Sequence, residues 1–307
     1  MTAKAIVALD YFVVDVFTEI PLAGNPLAVV LNTCGLTTER MQAIAREFNL
    51  SETTFIERRA IEEGGAVERT EGVRVRVFTT QEELPFAGHP TLGTAGVLRM
   101  IAPETFEGDT VRLALNVGPV PVRFEPSDGE SGAIFGEMTQ REPEFGAELD
   151  PATVAPLLGL TRDDLDPELP PQVVSTGAPF AIVVLREADA LARLKVNQDA
   201  ATAWLRERGA RWFYTLVQNQ DATEWRARMQ FNHGEDPATG SAAGCAISYL
   251  VARGAVPSGK RVHVRQGVEI ARPSDLYLSA KKDTARVGDV RVAGSTVRVA
   301  KGQLFLQ

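Results

Sequence analysis

The sequence predicts an α+β protein made of two mixed halves related by duplication, and three observations predict it. Its 307 residues exceed one ordinary core, because domains mostly run about 100–200 residues. Alternating stretches such as VRVRVF (73–78) read as half-buried strands and are interleaved with apolar residues at helical spacing. The chain also repeats itself at about half its length.

The repeat rests on two matched pairs. GNPLAVVL at 24–31 matches GAPFAIVV at 177–184, an offset of 153 residues, and each is a glycine-proline turn feeding an apolar strand. ELPFAG at 83–88 matches EDPATG at 235–240, an offset of 152 residues. An alternating stretch precedes each member of the second pair, VRVRVF at 73–78 and EWRARM at 224–229. Small residues and an apolar helix follow each, over His89–Met100 and Ser241–Val251. Unrelated strand-turn-helix units would not share an offset. Pro85 and Gly88 are therefore expected to occupy the same places in their half as Pro237 and Gly240 do in theirs.

Other elements follow from local chemistry. Thr37 or Thr38 can cap a helix whose apolar face is Met41, Ile44, Ala45 and Phe48. Asp150 can cap another, with Pro151 in its first turn. A helix over Ala200–Arg208 ends at Gly209. The polar, turn-rich stretch EPSDGESG (125–132) is the candidate linker.

Composition narrows the function. Net charge is −8, and an acidic surface repels phosphate backbones, so nucleic acid is not an expected partner. No apolar run approaches the ~20 residues that span a bilayer, so no membrane partner is expected. The N-terminus lacks the apolar core and cleavage site of a signal peptide. Cys34 and Cys245 lie far apart with no CxxC spacing and read as packing cysteines, which suits a reduced cytoplasm.

The repeated turn is the candidate site. The first amides of a helix have no intrahelical partner, and the helix dipole adds partial positive charge at the same end. Gly88 and Gly240 let a ligand approach the backbone. Each helix start is thus an anion pocket, and two halves related by duplication could turn both toward one cleft. A substrate carboxylate, and the enolate-like charge formed when a neighbouring C–H is deprotonated, would be stabilised there. A glycine-led helix start more often serves packing alone. Here His89 corresponds to Ser241, and Leu84 to Asp236, an asymmetry that a purely structural turn has no need of. Phosphate-loop, dinucleotide, GxSxG and HExxH motifs are absent, and His89, His233 and His263 are too dispersed for a metal reading. No cofactor and no metal are expected.

At these residues the chain resembles the PhzF-like family of phenazine biosynthesis. The stretches DVFTEIPLAGNPLAVV (15–30), IAREFNLSETTFI (44–56), ELPFAGHPTLGTA (83–95), GEDPATGSAAG (234–244) and QGVEIARPSDL (266–276) carry the resemblance. The family is similar in fold to diaminopimelate epimerase. The resemblance implies two pseudo-symmetric domains, each a strand-rich barrel around a central helix, with the last strand returning to the first domain. It divides the chain into 1–125 plus 290–307, and 126–289, and implies a homodimer. It makes Glu52 of NLSET the acid/base, with His89 and Asp236 as further catalytic residues. It places substrate and anion contacts at Gly88, His89 and Thr91, and at Thr239, Gly240 and Ser241.

Two-thiol epimerases of this fold carry a cysteine at each helix start, where this chain has Ala87 and Thr239. The chain departs from that pattern at both places, which implies one base. The leading expectation is an isomerase that moves a proton within a small carboxylate-bearing substrate. Burial is expected to raise the Glu52 carboxyl above its reference value and ease proton return. An amino-acid racemase or epimerase with two unlike bases, Glu52 with His89 or Asp236, stays open. So does a non-catalytic binding protein on the same scaffold.

Overall fold

A computed structural model describes residues 7–57, 68, 71–103, 106, 108–126, 132–219, 221, 223–231, 234–284 and 286–306. The chain divides into two compact units, Met1–Met138 with Ser295–Gln307, and Thr139–Gly294. Of the candidate linker at 125–132, residues 127–131 lie outside the described residues.

The first unit holds β1 (Val7–Val16), β2 (Asn25–Val30), α1 (Thr38–Phe48), β3 (Glu52–Glu57), β4 (Val73–Phe78), β5 (Glu83–Leu84), α2 (Gly88–Ile101), β6 (Thr110–Leu115), β7 (Gly118–Phe124) and β8 (Ile134–Thr139). The second holds β9 (Glu144–Glu148), α3 (Pro151–Leu157), β10 (Gln172–Ser175), β11 (Pro179–Leu185), α4 (Ala188–Arg193), α5 (Gln198–Glu207), β12 (Trp212–Gln218), β13 (Glu224–Arg228), β14 (Gln230–Phe231), β15 (Gly234–Glu235), α6 (Gly240–Arg253), β16 (Val262–Gln266) and β17 (Ser274–Lys282). The long β18 (Val287–Leu306) serves both units. Its early residues pair with β17, Tyr277 opposite Ala293. Its later residues pair with β1, from Val16 opposite Thr296 to Val7 opposite Leu306.

Strand pairing shows the duplication. In the first unit, β1–β2, β3–β4 and β6–β7 are antiparallel, while β2–β3 and β4–β6 are parallel. In the second, β10–β11, β12–β13 and β16–β17 are antiparallel, while β11–β12 and β13–β16 are parallel. The order and every orientation agree. A parallel step needs a crossover, and helices supply it at the same places. In the first unit β8 and β18 complete a closed eight-stranded barrel, order β1-β2-β3-β4-β6-β7-β8-β18 with β18 back on β1.

The α2 helix is buried from Gly88 to Leu98, and α6 from Ala242 to Val251. Each packs on strands of its own unit, α2 on β1, β2 and β6 and α6 on β17, β10 and β11, and so close an approach requires a thin helix. This explains the small residues that follow each Pro-x-x-Gly turn. A Cβ at Gly93 would sit 2.7 Å from Val16 and 2.8 Å from Leu27. Each unit also braces its turn with one arginine fork. Arg76 donates to both oxygens of Glu83, at 2.8 and 2.5 Å. Arg228 does the same to Glu235, at 3.0 and 2.6 Å. Two parallel N–H···O bonds fix both the distance and the plane of each carboxylate.

Local signals account for the helix ends. Thr37 caps α1 by accepting from the Arg40 amide at 3.3 Å. Met41, Ile44 and Ala45 bury against Leu9, Val30, Phe55 and Phe78, with Phe48 at the margin. Asp150 caps α3, accepting from the Ala152 amide at 3.1 Å. The α5 helix starts two residues before Ala200, because Asn197 caps it by accepting from the Ala200 amide at 3.2 Å. Cys34 corrects an expectation: it is exposed, on the turn after β2 where Gly35 takes φ 86°, and does not pack. Cys245 is buried in α6, and burial pushes its thiol up to about 11. Among the described residues no helix is long and apolar enough to cross a membrane.

Candidate active site

In the first unit the fold brings Glu52 and His89 together. Glu52 opens β3 opposite Leu27 of the parallel strand β2, and His89 is the second residue of α2. His89 is buried, and its Nε2 lies 3.5 Å from Glu52 Oε2. Such a pair is ionic only if the imidazole is protonated. Burial pushes the His89 pKa down to about 3, so at neutral pH a neutral ring faces the carboxylate. The other ring nitrogen, Nδ1, lies 3.1 Å from Asn25 Nδ2. Asn25 opens β2 and is fully buried, and its Oδ1 accepts from the Ser51 hydroxyl at 3.4 Å.

The start of α2 has no side-chain cap. Its first intrahelical bond runs from the Thr91 amide to the Ala87 carbonyl at 3.2 Å. Pro90 has no N–H, so the amides of Gly88 and His89 are the donors left at this end. Thr91 is buried, and its hydroxyl donates to the Ala87 carbonyl at 2.7 Å.

The second unit builds its turn differently. Asp236 is buried, and its Oδ2 accepts from the Thr239 hydroxyl at 2.6 Å. Gln266, fully buried at the end of β16, clamps this turn. Its Nε2 donates to the Asp236 carbonyl at 2.8 Å and to Thr239 Oγ1 at 2.9 Å. Its Oε1 accepts from the Thr239 amide at 3.1 Å and the Tyr214 hydroxyl at 3.0 Å. Burial and the nearby Asp236 raise the Tyr214 pKa, which keeps that hydroxyl a donor. Gly267 follows with φ 75°, and a Cβ there would strike the Arg272 and Pro237 carbonyls. The stretch beginning Gln266-Gly267 is thus the underside of the EDPATG turn.

The α6 start is also without a side-chain cap. The first intrahelical bond is from the Ala243 amide to the Thr239 carbonyl at 2.9 Å, leaving the amides of Gly240, Ser241 and Ala242 as donors. Ser241 is half-buried.

Sequence reasoning singled out Glu52, His89, Asp236 and the two turns but passed over Asn25, Ser51, Gln266 and Tyr214. Asn25, Ser51 and Gln266 stand inside motif stretches, so their type is visible in the sequence while their contacts are not. His263 bonds Asp275 at 2.8 Å on β16 and β17, and His233 lies outside the described residues. Among the described residues, no group of three or more His, Cys, Asp or Glu side chains is placed to hold a metal ion.

The neutral His89 makes stability depend on pH. Its folded pKa, about 3, lies below the ordinary histidine value of 6.5, so between those values the unfolded chain binds the extra proton. Stability is therefore fully present above about pH 6.5 and falls as the pH is lowered toward 3. The slope is at most about 1.4 kcal/mol per pH unit for one such group. Urea unfolding at a series of pH values should show a steeper acid loss in the wild type than in His89→Gln. Equal slopes would mean that His89 is already charged in the folded protein.

Residues 14–302 match the family model described as phenazine biosynthesis-like protein, PhzC-PhzF. A trans-2,3-dihydro-3-hydroxyanthranilate isomerase of Pseudomonas aeruginosa is 37% identical over 302 residues, covering 96% of this chain and 99% of the relative. An uncharacterized isomerase of Mesorhizobium japonicum is 35% identical over 308 residues, covering 97% and 99%. A solved structure described as a predicted epimerase from P. aeruginosa superposes with a TM-score of 0.82 at 35% identity, covering 97% of this chain and all of that one. With the family matched over nearly its whole length, this chain belongs to the phenazine biosynthesis-like PhzC-PhzF family and is an isomerase.

Proposed function

We propose that the protein is a cofactor-independent isomerase that moves a proton within a small carboxylate-bearing substrate, with Glu52 as the single acid/base. The observation that carries this reading is the half-buried Glu52 carboxylate, whose Oε2 faces a neutral His89 at the uncapped start of α2. An isomerase conserves composition, so a proton that Glu52 takes from the substrate must be matched by one given back to it, at another carbon if a double bond moves. A ring whose pKa is pushed down to about 3 is a weak base, which favours one base over two. His89 then orients Glu52 and the substrate. The amides at Gly88 and at Gly240–Ser241 receive carboxylate and developing enolate charge, with Asp236 and Thr239 shaping the second turn and Thr91 the first. The protein is proposed to work in the cytoplasm as a homodimer, its first domain made of residues 1–125 and 290–307 and its second of residues 126–289. The similarity to the P. aeruginosa enzyme makes a cyclic hydroxy-dihydro acid the first substrate to offer.

The test is turnover of trans-2,3-dihydro-3-hydroxyanthranilate in D2O, followed by proton NMR. One base that shuttles the proton should leave part of the product carrying the substrate's own hydrogen. Product with complete deuterium at the new C–H from the first turnover would instead support two bases. Binding without turnover, for this and related cyclic acids, would support a binding protein.

A further inference from the structure

We propose that Asn25 is a positioning residue that holds His89 in its Nε2–H tautomer, so that a hydrogen-bond donor and not a lone pair faces Glu52. The inference rests on the proposed role of Glu52 and adds to it a residue that selects the protonation pattern of the site.

The argument follows the donors and acceptors in turn. The Ser51 hydroxyl lies 3.4 Å from Asn25 Oδ1 and donates to it. The structure sets the amide oxygen toward Ser51 and the amide nitrogen toward His89. The amide nitrogen, which can only donate, is left 3.1 Å from His89 Nδ1. Nδ1 must therefore accept, and a neutral imidazole carries its one proton on the other nitrogen. That nitrogen, Nε2, is the atom 3.5 Å from Glu52 Oε2. It is buried and has no hydrogen-bond partner among the described residues. The opposite tautomer would set two lone pairs against each other in a buried site, which is unfavourable. The relay is local in space and closes on itself, since Ser51 immediately precedes Glu52. Asn25 has no exposed surface and opens β2 beside β3, so the backbone of two parallel strands fixes its reach.

The test is nitrogen NMR on the full chain carrying 15N-labelled histidine, with the His89 resonances assigned by their loss in His89→Gln. At neutral pH the wild type should show Nδ1 as an unprotonated, pyridine-type nitrogen and Nε2 as a protonated one. Asn25→Asp keeps the shape but offers only acceptors, so Nδ1 should become protonated. Turnover should then fall on the order of 10²-fold with KM little changed, the scale of losing a properly protonated acid/base partner. Ser51→Ala leaves Asn25 in place and should show a mixture of tautomers, which keeps the idea testable if Asn25→Asp does not fold. A protonated Nδ1 in the wild type, or an unchanged tautomer in a folded Asn25→Asp, would overturn the inference whatever the kinetics. An inert Glu52→Gln substitution with the expected wild-type tautomer would instead remove the role of Glu52 and leave that of Asn25 standing.

Discussion

Glu52→Gln is expected to lower turnover by about 10²–10⁴-fold, the usual loss when a general acid or base is removed. Glutamine keeps the length of the side chain and one carbonyl oxygen, so the β2–β3 register that pairs residue 52 with Leu27 should persist. What it lacks is an oxygen able to take a proton from carbon and give it back. The His89 Nε2 that now faces the carboxylate would still find an acceptor in the glutamine carbonyl. Substrate affinity should change far less, because the amides of Gly88 and His89 belong to the backbone of α2 and remain in place. The readout is kcat and KM for a confirmed substrate, with thermal unfolding alongside to show that the variant is folded. A folded variant with full turnover would end the one-base reading and pass the role of base to Asp236 or His89.

Sequence and structure met most closely where the chemistry is local. The Thr37, Asp150 and Gly209 signals act within a turn of their own helices, and the structure uses each of them. The duplication was legible because two motifs kept one offset, and the strand orientations of both units follow it. Arg76 and Arg228 occupy matching places in the two alternating stretches, 152 residues apart, and each grips the glutamate of its own turn. Those arginines read only as the polar face of a strand, because alternation marks which residues point outward and not what they hold. Asn25 was harder still. Its partners Ser51 and His89 lie 26 and 64 residues away, and a glycine-asparagine pair before a strand reads as an ordinary turn. Cys34 went the other way. It follows the apolar stretch LAVVL at 27–31, but the strand ends at Val30 and the turn lifts it into solvent.

Gly244→Ala is expected to destabilise the protein by on the order of 3 kcal/mol, although alanine is the better helix former. In α6 a Cβ at this position would overlap the carboxamide oxygen of Gln140. Gln140 is buried and has two bonds to lose. Its Oε1 accepts from the Thr176 hydroxyl at 2.6 Å, and its Nε2 donates to the Gly240 carbonyl at 2.8 Å. A displaced carboxamide leaves both partners buried without it, at about 1–3 kcal/mol each. The helix propensity gained on replacing glycine returns only about 1 kcal/mol. Gly96→Ala makes the contrast, since its Cβ would meet Thr296 at 3.1 Å, where a shift of tenths of an ångström suffices. The decisive measurement is a double-mutant cycle by urea unfolding. In a Gln140→Ala background the oxygen that opposes the new methyl is gone, so Gly244→Ala should become neutral or stabilising. The same loss in both backgrounds would show that crowding from the rest of the unit, and not Gln140, requires glycine there. The Gly240 carbonyl lies in the first turn of α6, so the same displacement would loosen the amides proposed to hold the substrate anion. Under that reading Gly244→Ala should raise KM at temperatures where the variant is still fully folded.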